Sequence, residues 1–323
     1  MKILVTGCAG FIGFHISRRL LDLNFNVYGV DNLNKYYDVK LKKLRLSILK
    51  KKKNFHFLKK DISENSIINF YKQKKPKIII HLAAQAGVRY SIENPDAYIK
   101  SNIMGFFNII KLSKLLKVKH LIIASSSSVY GNSKKFPIKE EDDTSHPVSL
   151  YSATKKSNEV IAYSYSKNFK IPITCLRFFT VYGPFGRPDM SLFKFTKAIL
   201  EKKKVKLYNY GQHERDFTFI DDAVEMVIKL INKPSTQQIP FNILNISNSK
   251  PIKLKKYIEF LQKSLKLKAK FKKLPLQTGD VFKTHGSNKK IIKRIGKINS
   301  VKIEKGIEYF VNWYKKFYNI NIK

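Results

Sequence analysis

The sequence predicts an α/β fold, with a doubly wound parallel sheet of the Rossmann type and a smaller C-terminal lobe. Short β-branched runs alternate with longer amphipathic segments through the first half of the chain, as in βαβ units. Glycines at a regular spacing follow the first of these runs, at the turn where such a sheet binds a dinucleotide. From about Gly183 the alternation becomes irregular. We therefore expect a dinucleotide-binding domain over 1–182, to which later segments return, and a mainly substrate-binding lobe over 183–323.

The individual elements follow from the spacing of the apolar residues. Six β-branched runs predict strands near 2–6, 26–30, 55–58, 77–82, 120–125 and 173–178. Apolar residues at three- and four-residue spacing predict helices over 11–23, 97–117 and 151–168, and later near 191–203, 221–232, 254–265 and 303–318. In such an alternating order the carboxyl ends of the strands share one edge of the sheet, where ligands bind.

The net charge is the one extreme bulk property, since 63 Lys and Arg stand against 23 Asp and Glu, which gives +40. Such a charge is typical of proteins that bind nucleic acids or anionic membranes. The excess here is nearly all lysine spread along the chain, whereas arginine is the residue that reads bases and phosphates with two parallel hydrogen bonds. Many of the other common residues are also encoded by A/T-rich codons, which explains the charge more simply. We expect no nucleic-acid partner.

The cysteines and the apolar runs exclude several further classes of protein. Cys8 and Cys175 are the only cysteines, too few for a disulfide framework or a cysteine-based metal site. The longest apolar runs, 78–84 and 121–124, are far shorter than the ~20 residues that cross a bilayer, and the N-terminus shows no export signal. We expect a cytoplasmic protein with neither a metal nor a membrane partner.

The segment from Thr6 to Gly13 carries the predicted phosphate-binding turn. Gly7 permits the tight turn, Gly10 lets the backbone approach a pyrophosphate, and Gly13 allows the helix to pack closely on the sheet. The helix N-terminus that follows then faces the negative charge. Taken alone, the glycine triplet is equally compatible with a tight turn that binds nothing.

Residues at the ends of the next strands favour a bound dinucleotide. Asp31 ends the second strand, near the ~20-residue offset at which a carboxylate hydrogen-bonds the adenosine ribose. Because a carboxylate there would repel a 2′-phosphate, NAD is favoured over NADP. Asp61 follows the third strand, where it could accept a hydrogen bond from the adenine amino group. After the fourth strand, Ala83 and Ala84 leave room for the cofactor backbone.

Several motifs occur together in the order found in one known family. They are the glycine triplet, the segment His81 to Gln85, Asn102, the serine run from Ser125, and Tyr151 with Lys155. In this combination, over essentially the whole chain, the sequence resembles the extended short-chain dehydrogenases/reductases of the NAD-dependent epimerase/dehydratase type. The resemblance implies a homodimer that pairs through the helices predicted over 97–117 and 151–168. It also implies a tightly bound NAD, held by Gly7, Gly10, Phe11, Ile12, Gly13, Asp31, Asn32, Asp61, Ile62, Leu82, Ala83, Ala84, Gln85, Asn102, Tyr151 and Lys155.

Tyr151 and Lys155 lie four residues apart on a predicted helix, so their side chains share one face. By resemblance to the family, Tyr151 exchanges the proton of a sugar hydroxyl, Ser126 hydrogen-bonds the same oxygen, and Lys155 holds the nicotinamide ribose. An ordinary tyrosine pKa of ~10 must fall by about three units, or roughly 4 kcal/mol, before the side chain acts as a base near neutral pH. We expect the Lys155 ammonium and the nicotinamide ring to lower it. Without the family, such a pair would more often be ordinary surface packing.

The residues beside Ser126 bear on which reaction follows. Related 4,6-dehydratases carry an Asp-Glu pair directly after the catalytic serine or threonine, because the loss of water needs a further acid and base. This chain has Ser127 and Ser128 there. Two segments, 31–42 and 183–190, resemble UDP-glucuronate 4-epimerases. The resemblance implies an isomerase that converts UDP-glucuronate to UDP-galacturonate through a transient 4-keto intermediate, with NAD retained and recycled.

A uronate substrate would need a cation and hydroxyl donors for its carboxylate. Arg187, with Thr180, Ser127 and Ser128, could supply them. The 4-keto intermediate of a uronate is a β-keto acid, and we expect these contacts to hold its carboxylate out of the alignment in which it loses carbon dioxide. Alternatively, Arg187 caps a helix that begins near Pro188.

The nucleotide end of the substrate has three candidate contacts. The resemblance places Arg215 on the diphosphate and Asp280 near the uridine ribose. Relatives often carry an arginine at or near Gln277, so this chain departs from their pattern there. Arg89 is either a further substrate contact or a surface arginine at a helix start.

Other functions stay open on the sequence alone. A decarboxylase that forms UDP-xylose would use the same substrate, and a 4-epimerase for UDP-glucose or UDP-N-acetylglucosamine would use the same catalytic groups. An NAD-sensing or nucleic-acid-binding protein on a Rossmann scaffold is the non-enzymatic alternative. Such a protein would have no need of Ser126, Tyr151 and Lys155 together.

Overall fold

The computed structural model describes residues 1–277 and 279–320. Its strands are β1 (Lys2–Thr6), β2 (Asn26–Asp31), β3 (Phe55–Lys59), β4 (Ile78–His81), β5 (His120–Ser126), β6 (Ile173–Phe178), β7 (Thr180–Tyr182), β8 (Lys204–Leu207), β9 (Glu214–Phe219), β10 (Phe241–Ile246), β11 (Pro251–Lys253) and β12 (Lys270–Lys273). Its α-helices are α1 (Phe11–Asp22), α2 (Val39–Lys50), α3 (Ser66–Lys74), α4 (Tyr90–Glu93), α5 (Pro95–Tyr98), α6 (Gly105–Leu116), α7 (Leu150–Phe169), α8 (Ser191–Leu200), α9 (Ile220–Leu230), α10 (Leu254–Leu265), α11 (Lys289–Ile295) and α12 (Ile303–Tyr318).

Seven parallel strands build the central sheet, in the order β10-β6-β5-β4-β1-β2-β3. The six predicted strands are all present, to within one residue at each end, and the predicted doubly wound sheet is confirmed. The strand order reverses at β1, which lies between β4 and β2. A crevice therefore opens beyond the carboxyl ends of β1 and β4, where such sheets bind their ligands.

Strand β1 shows why its segment reads as a continuous apolar run. Ile3 and Val5 belong to one apolar cluster, and Leu4 between them belongs to a second cluster on the opposite face. Successive side chains of a strand point to opposite faces, so a strand covered on both sides has no polar alternation. The sheet is thus buried between two layers. The carboxyl ends of its strands are not covered by these layers and remain accessible to a ligand.

The helix predicted over 97–117 is divided, which corrects the sequence interpretation. α5 ends at Tyr98, a π-helical turn covers Ile99–Met104, and α6 continues to Leu116. A π turn adds a residue to the helical repeat and often occurs at functional sites. It turns Asn102 into the protein, where its amide bonds the backbone of Gln85 at 2.8 and 3.1 Å. A search for a regular 3.6-residue period misses such a turn.

The C-terminal half builds the wall opposite the main sheet. β11, β9 and β7 form one small sheet, and β12 pairs with β8. The ring of Phe217 on β9 stacks on Tyr257 of α10 at 4.1 Å, and α12 packs against α10. Within the described residues, no helix is long and apolar enough to cross a membrane.

Candidate active site

A cavity of about 940 Å³ runs along the carboxyl edge of the sheet and under the C-terminal wall. Every predicted site residue except Asn102 lines it. The fold thus brings residues from nine separate segments to one cavity, although their individual contacts differ from several of the expectations.

The glycine turn has the shape that a pyrophosphate needs. Gly7 has φ +71°, and a Cβ there would lie 2.8 Å from the backbone nitrogen of Ala83. A Cβ on Gly13 would overlap the carbonyl oxygen of Gly7. Helix α1 begins at Phe11 with Gly10 before it, and no side chain caps its free N–H groups. This open helix N-terminus lines the cavity and suits an anion.

The two acidic residues that the sequence assigns to the adenosine, Asp31 and Asp61, both line the cavity. Asp31 is 8% exposed and accepts hydrogen bonds from the backbone N–H groups of Ala9 and Leu33, at 3.1 and 2.8 Å. Burial raises the pKa of Asp31, against the pull of these two hydrogen bonds and of the Lys42 cation. Asp61 accepts from the Asn32 amide at 2.8 Å, which fixes the floor of this part of the cavity.

The candidate catalytic groups meet at the end of β5. Ser126 accepts a hydrogen bond from the backbone N–H of Ser128 at 3.2 Å, which orients its hydroxyl. Ser149 and Ser152 form a reciprocal capping box at the start of α7, so Tyr151 stands in the first helical turn. A capped first turn is rigid, and the tyrosine is therefore held at a fixed height above the sheet.

Lys155 is buried and donates a hydrogen bond from Nζ to the carbonyl oxygen of Ala124 at 2.8 Å. Burial disfavours the ammonium form and lowers the pKa of Lys155 to about 8. Burial raises the pKa of Tyr151, while the nearby Arg187 charge and a hydrogen bond with Ser126 act to lower it. The net effect is a raised pKa for Tyr151, and Arg187 is the cation that opposes this rise. That Lys155 lowers the tyrosine pKa stays a prediction.

A buried ionic network joins helix α7, which carries Tyr151 and Lys155, to strands β5 and β6. Glu159 on α7 accepts two hydrogen bonds from Arg177 on β6, both at 2.8 Å, and one from Ser125 at 2.5 Å. Arg177 and Glu159 are each 2% exposed. The helix that carries Tyr151 is thus tied to the neighbouring strands. The hydroxyl of Ser125, the first residue of the serine run, serves this carboxylate.

Arg187, predicted to contact a substrate carboxylate, is paired with Asp189 in this structure. Its Nε donates to Asp189 Oδ1 at 3.0 Å, and a second nitrogen donates to the other carboxylate oxygen. Tyr36 donates its hydroxyl proton to the same carboxylate at 3.1 Å. The alternative of a helix cap is wrong, because α8 begins at Ser191 and no side chain caps it. Arg187 lines the cavity together with Thr180.

The predicted nucleotide contacts bind each other or the backbone in this structure. Arg89 donates to Asp280 at 2.7 Å, and its guanidinium lies 4.9 Å from the centre of the Tyr208 ring. Arg215 gives its terminal nitrogens to the carbonyl oxygens of Val281 and Phe282, at 2.6 and 2.8 Å. These contacts hold the 281–282 segment against β9, and Arg215 still lines the cavity.

Asn102 is the one predicted cofactor residue that lies outside the cavity. It is 1% exposed, and its amide bonds the backbone of Gln85 and the hydroxyl of Thr154. Its polar atoms are therefore already satisfied. Asn102 connects the segment after β4 to helix α7, which is a scaffolding contact rather than a ligand contact.

The sequence interpretation missed several residues that shape the site. Lys194 and His213 line the cavity, as do Tyr36 and Asp189. Arg45 on α2 is fully buried and donates to the carbonyl oxygens of Ala9, Phe185 and Gly186. Tyr36 and Asp189 lie in the two segments that carried the finer resemblance, so these two residues could have been named from it. A buried arginine that bonds only backbone and hydroxyl oxygens leaves no pattern in a sequence.

Residues 3–246 match the model of the NAD dependent epimerase/dehydratase family. An uncharacterised 37.6 kDa protein of Escherichia coli O111:H- is 46% identical over 99% of this chain and 100% of its own. A probable UDP-glucuronate 4-epimerase of Rhizobium meliloti (strain 1021) is 41% identical over 98% of both chains. The crystal structure of UDP-glucuronic acid 4-epimerase from Bacillus cereus, in complex with UDP-glucuronic acid and NAD, is similar with a TM-score of 0.92 and 32% identity, over 98% of this chain and 100% of that one. The chain with its glycine turn, its serine run and its Tyr151–Lys155 pair belongs to the NAD-dependent epimerase/dehydratase family.

Proposed function

We propose that this chain is an NAD-dependent isomerase that inverts C4 of a UDP-sugar, and that its substrate pair is UDP-glucuronate and UDP-galacturonate. The observation that carries the proposal is one cavity that contains the glycine turn, the Ser126, Tyr151 and Lys155 side chains, and Arg187. The named relatives of Rhizobium meliloti and Bacillus cereus support the same reaction.

The residues along the main sheet suit NAD. The open N-terminus of α1 takes the pyrophosphate, and Asp31 takes the adenosine ribose hydroxyls. Lys155 hydrogen-bonds the nicotinamide ribose. Bound NAD supplies a reversible two-electron acceptor at C4 of the sugar, so no net oxidation results and the cofactor stays in place.

Proton transfer is the task of the chain's own residues. Tyr151 removes the proton of the O4 hydroxyl when C4 is oxidised, and returns it when the ketone is reduced. Ser126 donates a hydrogen bond to the same oxygen. Arg187 opposes the rise that burial causes in the pKa of Tyr151, and the Lys155 ammonium is proposed to stabilise the tyrosinate. The 4-keto sugar must present both faces to the cofactor in turn, and the wide cavity gives it the space to do so.

The serines beside the catalytic centre favour epimerisation over dehydration. Ser127 and Ser128 line the cavity where dehydratases have an acid and a base. Thr180 and Arg187 line the same cavity, and a set of hydroxyl groups with an arginine suits a uronate carboxylate. Arg89, Arg215 and Asp280 stand at the nucleotide end, where they are proposed to bind the UDP moiety.

We also propose a homodimer that works in the cytoplasm. Helices α6 and α7 pack side by side and expose several apolar side chains: Met104 just before α6, Phe107 and Leu115 on α6, and Val160 and Tyr163 on α7. A patch of this kind is typical of an interface. Cys8 and Cys175 are buried free thiols, as expected in a reducing compartment.

The test is to incubate the purified protein with UDP-glucuronate, without added NAD, and to follow the products by NMR. Formation of UDP-galacturonate that is lost in Tyr151→Phe supports the epimerase and a retained cofactor. Release of carbon dioxide with a UDP-pentose would make the chain a decarboxylase. Turnover of UDP-glucose or UDP-N-acetylglucosamine alone would move the assignment to a neutral UDP-sugar.

A further inference from the structure

The carboxylate of Asp189 is the partner of Arg187 inside the candidate active site. It accepts from two nitrogens of the guanidinium and, at 3.1 Å, from the hydroxyl of Tyr36. We propose that Asp189 is a positioning residue that fixes the orientation of Arg187, and that this orientation decides whether the keto intermediate is epimerised or decarboxylated. The inference rests on the proposed function, because it needs a uronate substrate.

The backbone that carries Arg187 is held in place independently of Asp189. The carbonyl oxygen of Pro184 lies 3.0 Å from His15 Nε2, and those of Phe185 and Gly186 accept from Arg45. Three successive carbonyl groups are thus bonded to side chains from α1 and α2. The Phe185 ring also packs on Phe14 at 4.9 Å and on Trp313 at 5.1 Å. A change at Asp189 therefore leaves the path of this loop intact.

What Asp189 controls is the direction of the guanidinium. An arginine side chain has several rotatable bonds, and a planar carboxylate that accepts from two of its nitrogens fixes the plane of the group. The same carboxylate is itself fixed by Tyr36, from the segment after β2. One edge of Arg187 is thereby taken, and only the remaining N–H groups are left to meet a substrate carboxylate.

The pair also limits how strongly Arg187 attracts the substrate. Asp189 and Arg187 are both about a quarter exposed, at 24% and 23%, so their charges offset each other in a poorly solvated place. A bare arginine would draw a carboxylate into close contact from any direction. The paired arginine can only orient the substrate carboxylate, together with hydroxyl groups such as that of Thr180.

Orientation matters because the competing reaction depends on it. In the 4-keto uronate the bond between C5 and C6 can break, which releases carbon dioxide and leaves its electron pair on C5 as an enolate. A proton from water then completes the UDP-4-keto-pentose. The bond breaks readily only when it is aligned with the π system of the ketone. A guanidinium held in one plane can keep the carboxylate away from that alignment.

The experiment compares the product ratio of Asp189→Asn, Asp189→Ala and Tyr36→Phe with that of the unchanged protein. Each is incubated with UDP-glucuronate, and carbon dioxide and UDP-pentoses are measured against UDP-galacturonate. Asp22→Asn, which replaces a half-exposed carboxylate on the far end of α1, is the matched control. Thermal unfolding of each variant shows whether it is folded.

We expect the fraction decarboxylated to rise about tenfold in Asp189→Ala, which corresponds to roughly 1.4 kcal/mol, and less in Asp189→Asn and Tyr36→Phe. The KM for UDP-glucuronate should not rise, because the arginine charge is still present. A folded, active Asp189→Ala with an unchanged product ratio overturns the inference and leaves the proposed function standing. If the unchanged protein does not epimerise UDP-glucuronate, the proposed function fails and the inference fails with it.

Discussion

Lys155 donates a hydrogen bond from its ammonium group to the carbonyl oxygen of Ala124 at 2.8 Å. The bond joins helix α7 to strand β5, one residue before the serine run begins. Lys155 is buried, and burial lowers its pKa to about 8. We therefore expect Lys155 to lose its proton, and with it its charge, in a moderately alkaline range of pH.

The first prediction is a loss of activity above about pH 8. An amine is protonated below its pKa, so Lys155 carries its charge at neutral pH and loses it as the pH rises through about 8. We expect kcat/KM to fall tenfold for each further pH unit, since the neutral amine cannot stabilise a tyrosinate. Rates measured from about pH 6 to pH 10 test this. In Lys155→Arg the alkaline loss should move to higher pH, and an unmoved limb would assign it to another group.

The catalytic groups could be predicted from the sequence because each is placed by a local pattern. Tyr151 and Lys155 share a helix face, and Ser126 ends a β-branched run, so their meeting follows from the topology of a parallel sheet. The glycine turn is equally local. The hydrogen-bond partners of the site residues are not placed by local patterns. The pairing of Arg187 with Asp189 depends on side-chain rotamers within one loop, and that of Arg89 with Asp280 joins positions far apart in the chain.

The same distinction explains the errors in the fold. The π turn at Ile99–Met104 breaks the helical period by one residue, and Asn102 consequently faces the backbone of Gln85 instead of the cavity. Short strands such as β7 and β11 have three residues each. Their pairing with β9 is a tertiary contact. A run of three residues is too short to show the alternation that predicts a strand.

The second prediction concerns the buried pair of Glu159 and Arg177. Glu159→Met leaves the guanidinium without its carboxylate at a site that is 2% exposed. Removal of one partner of such a pair costs about 3 to 5 kcal/mol in the free energy of unfolding. The double variant with Arg177→Met should lose less than either single variant, because no isolated charge is left. Urea unfolding measures all three, and additive losses would show that the two side chains do not act as a pair.

The third prediction concerns the choice between NAD and NADP. Asp31 lies near two cations, Lys42 and Arg45, both of which act on its pKa. Asp31→Ser removes the negative charge that would repel a 2′-phosphate and leaves the cations in place. We expect the affinity of the cofactor-free protein for NADP to rise about tenfold relative to NAD, as when one charge repulsion is removed. Calorimetric titration with each dinucleotide gives both dissociation constants. An unchanged ratio would mean that Asp31 does not face the ribose.

The fourth prediction concerns the apolar surface of α6 and α7. Val160 is 57% exposed in the middle of α7, and Leu115 is 49% exposed on α6. If these helices pair with those of a second copy, Val160→Lys places a charge in the centre of the interface, where its burial costs several kcal/mol. The variant should then be a monomer by light scattering, while the unchanged protein is a dimer. Phe271→Lys, at an exposed apolar residue on β12, is the control that should leave the mass unchanged. An unpaired lysine at the centre of an interface would weaken the dimer. A dimer that survives Val160→Lys would therefore place the contact on another face.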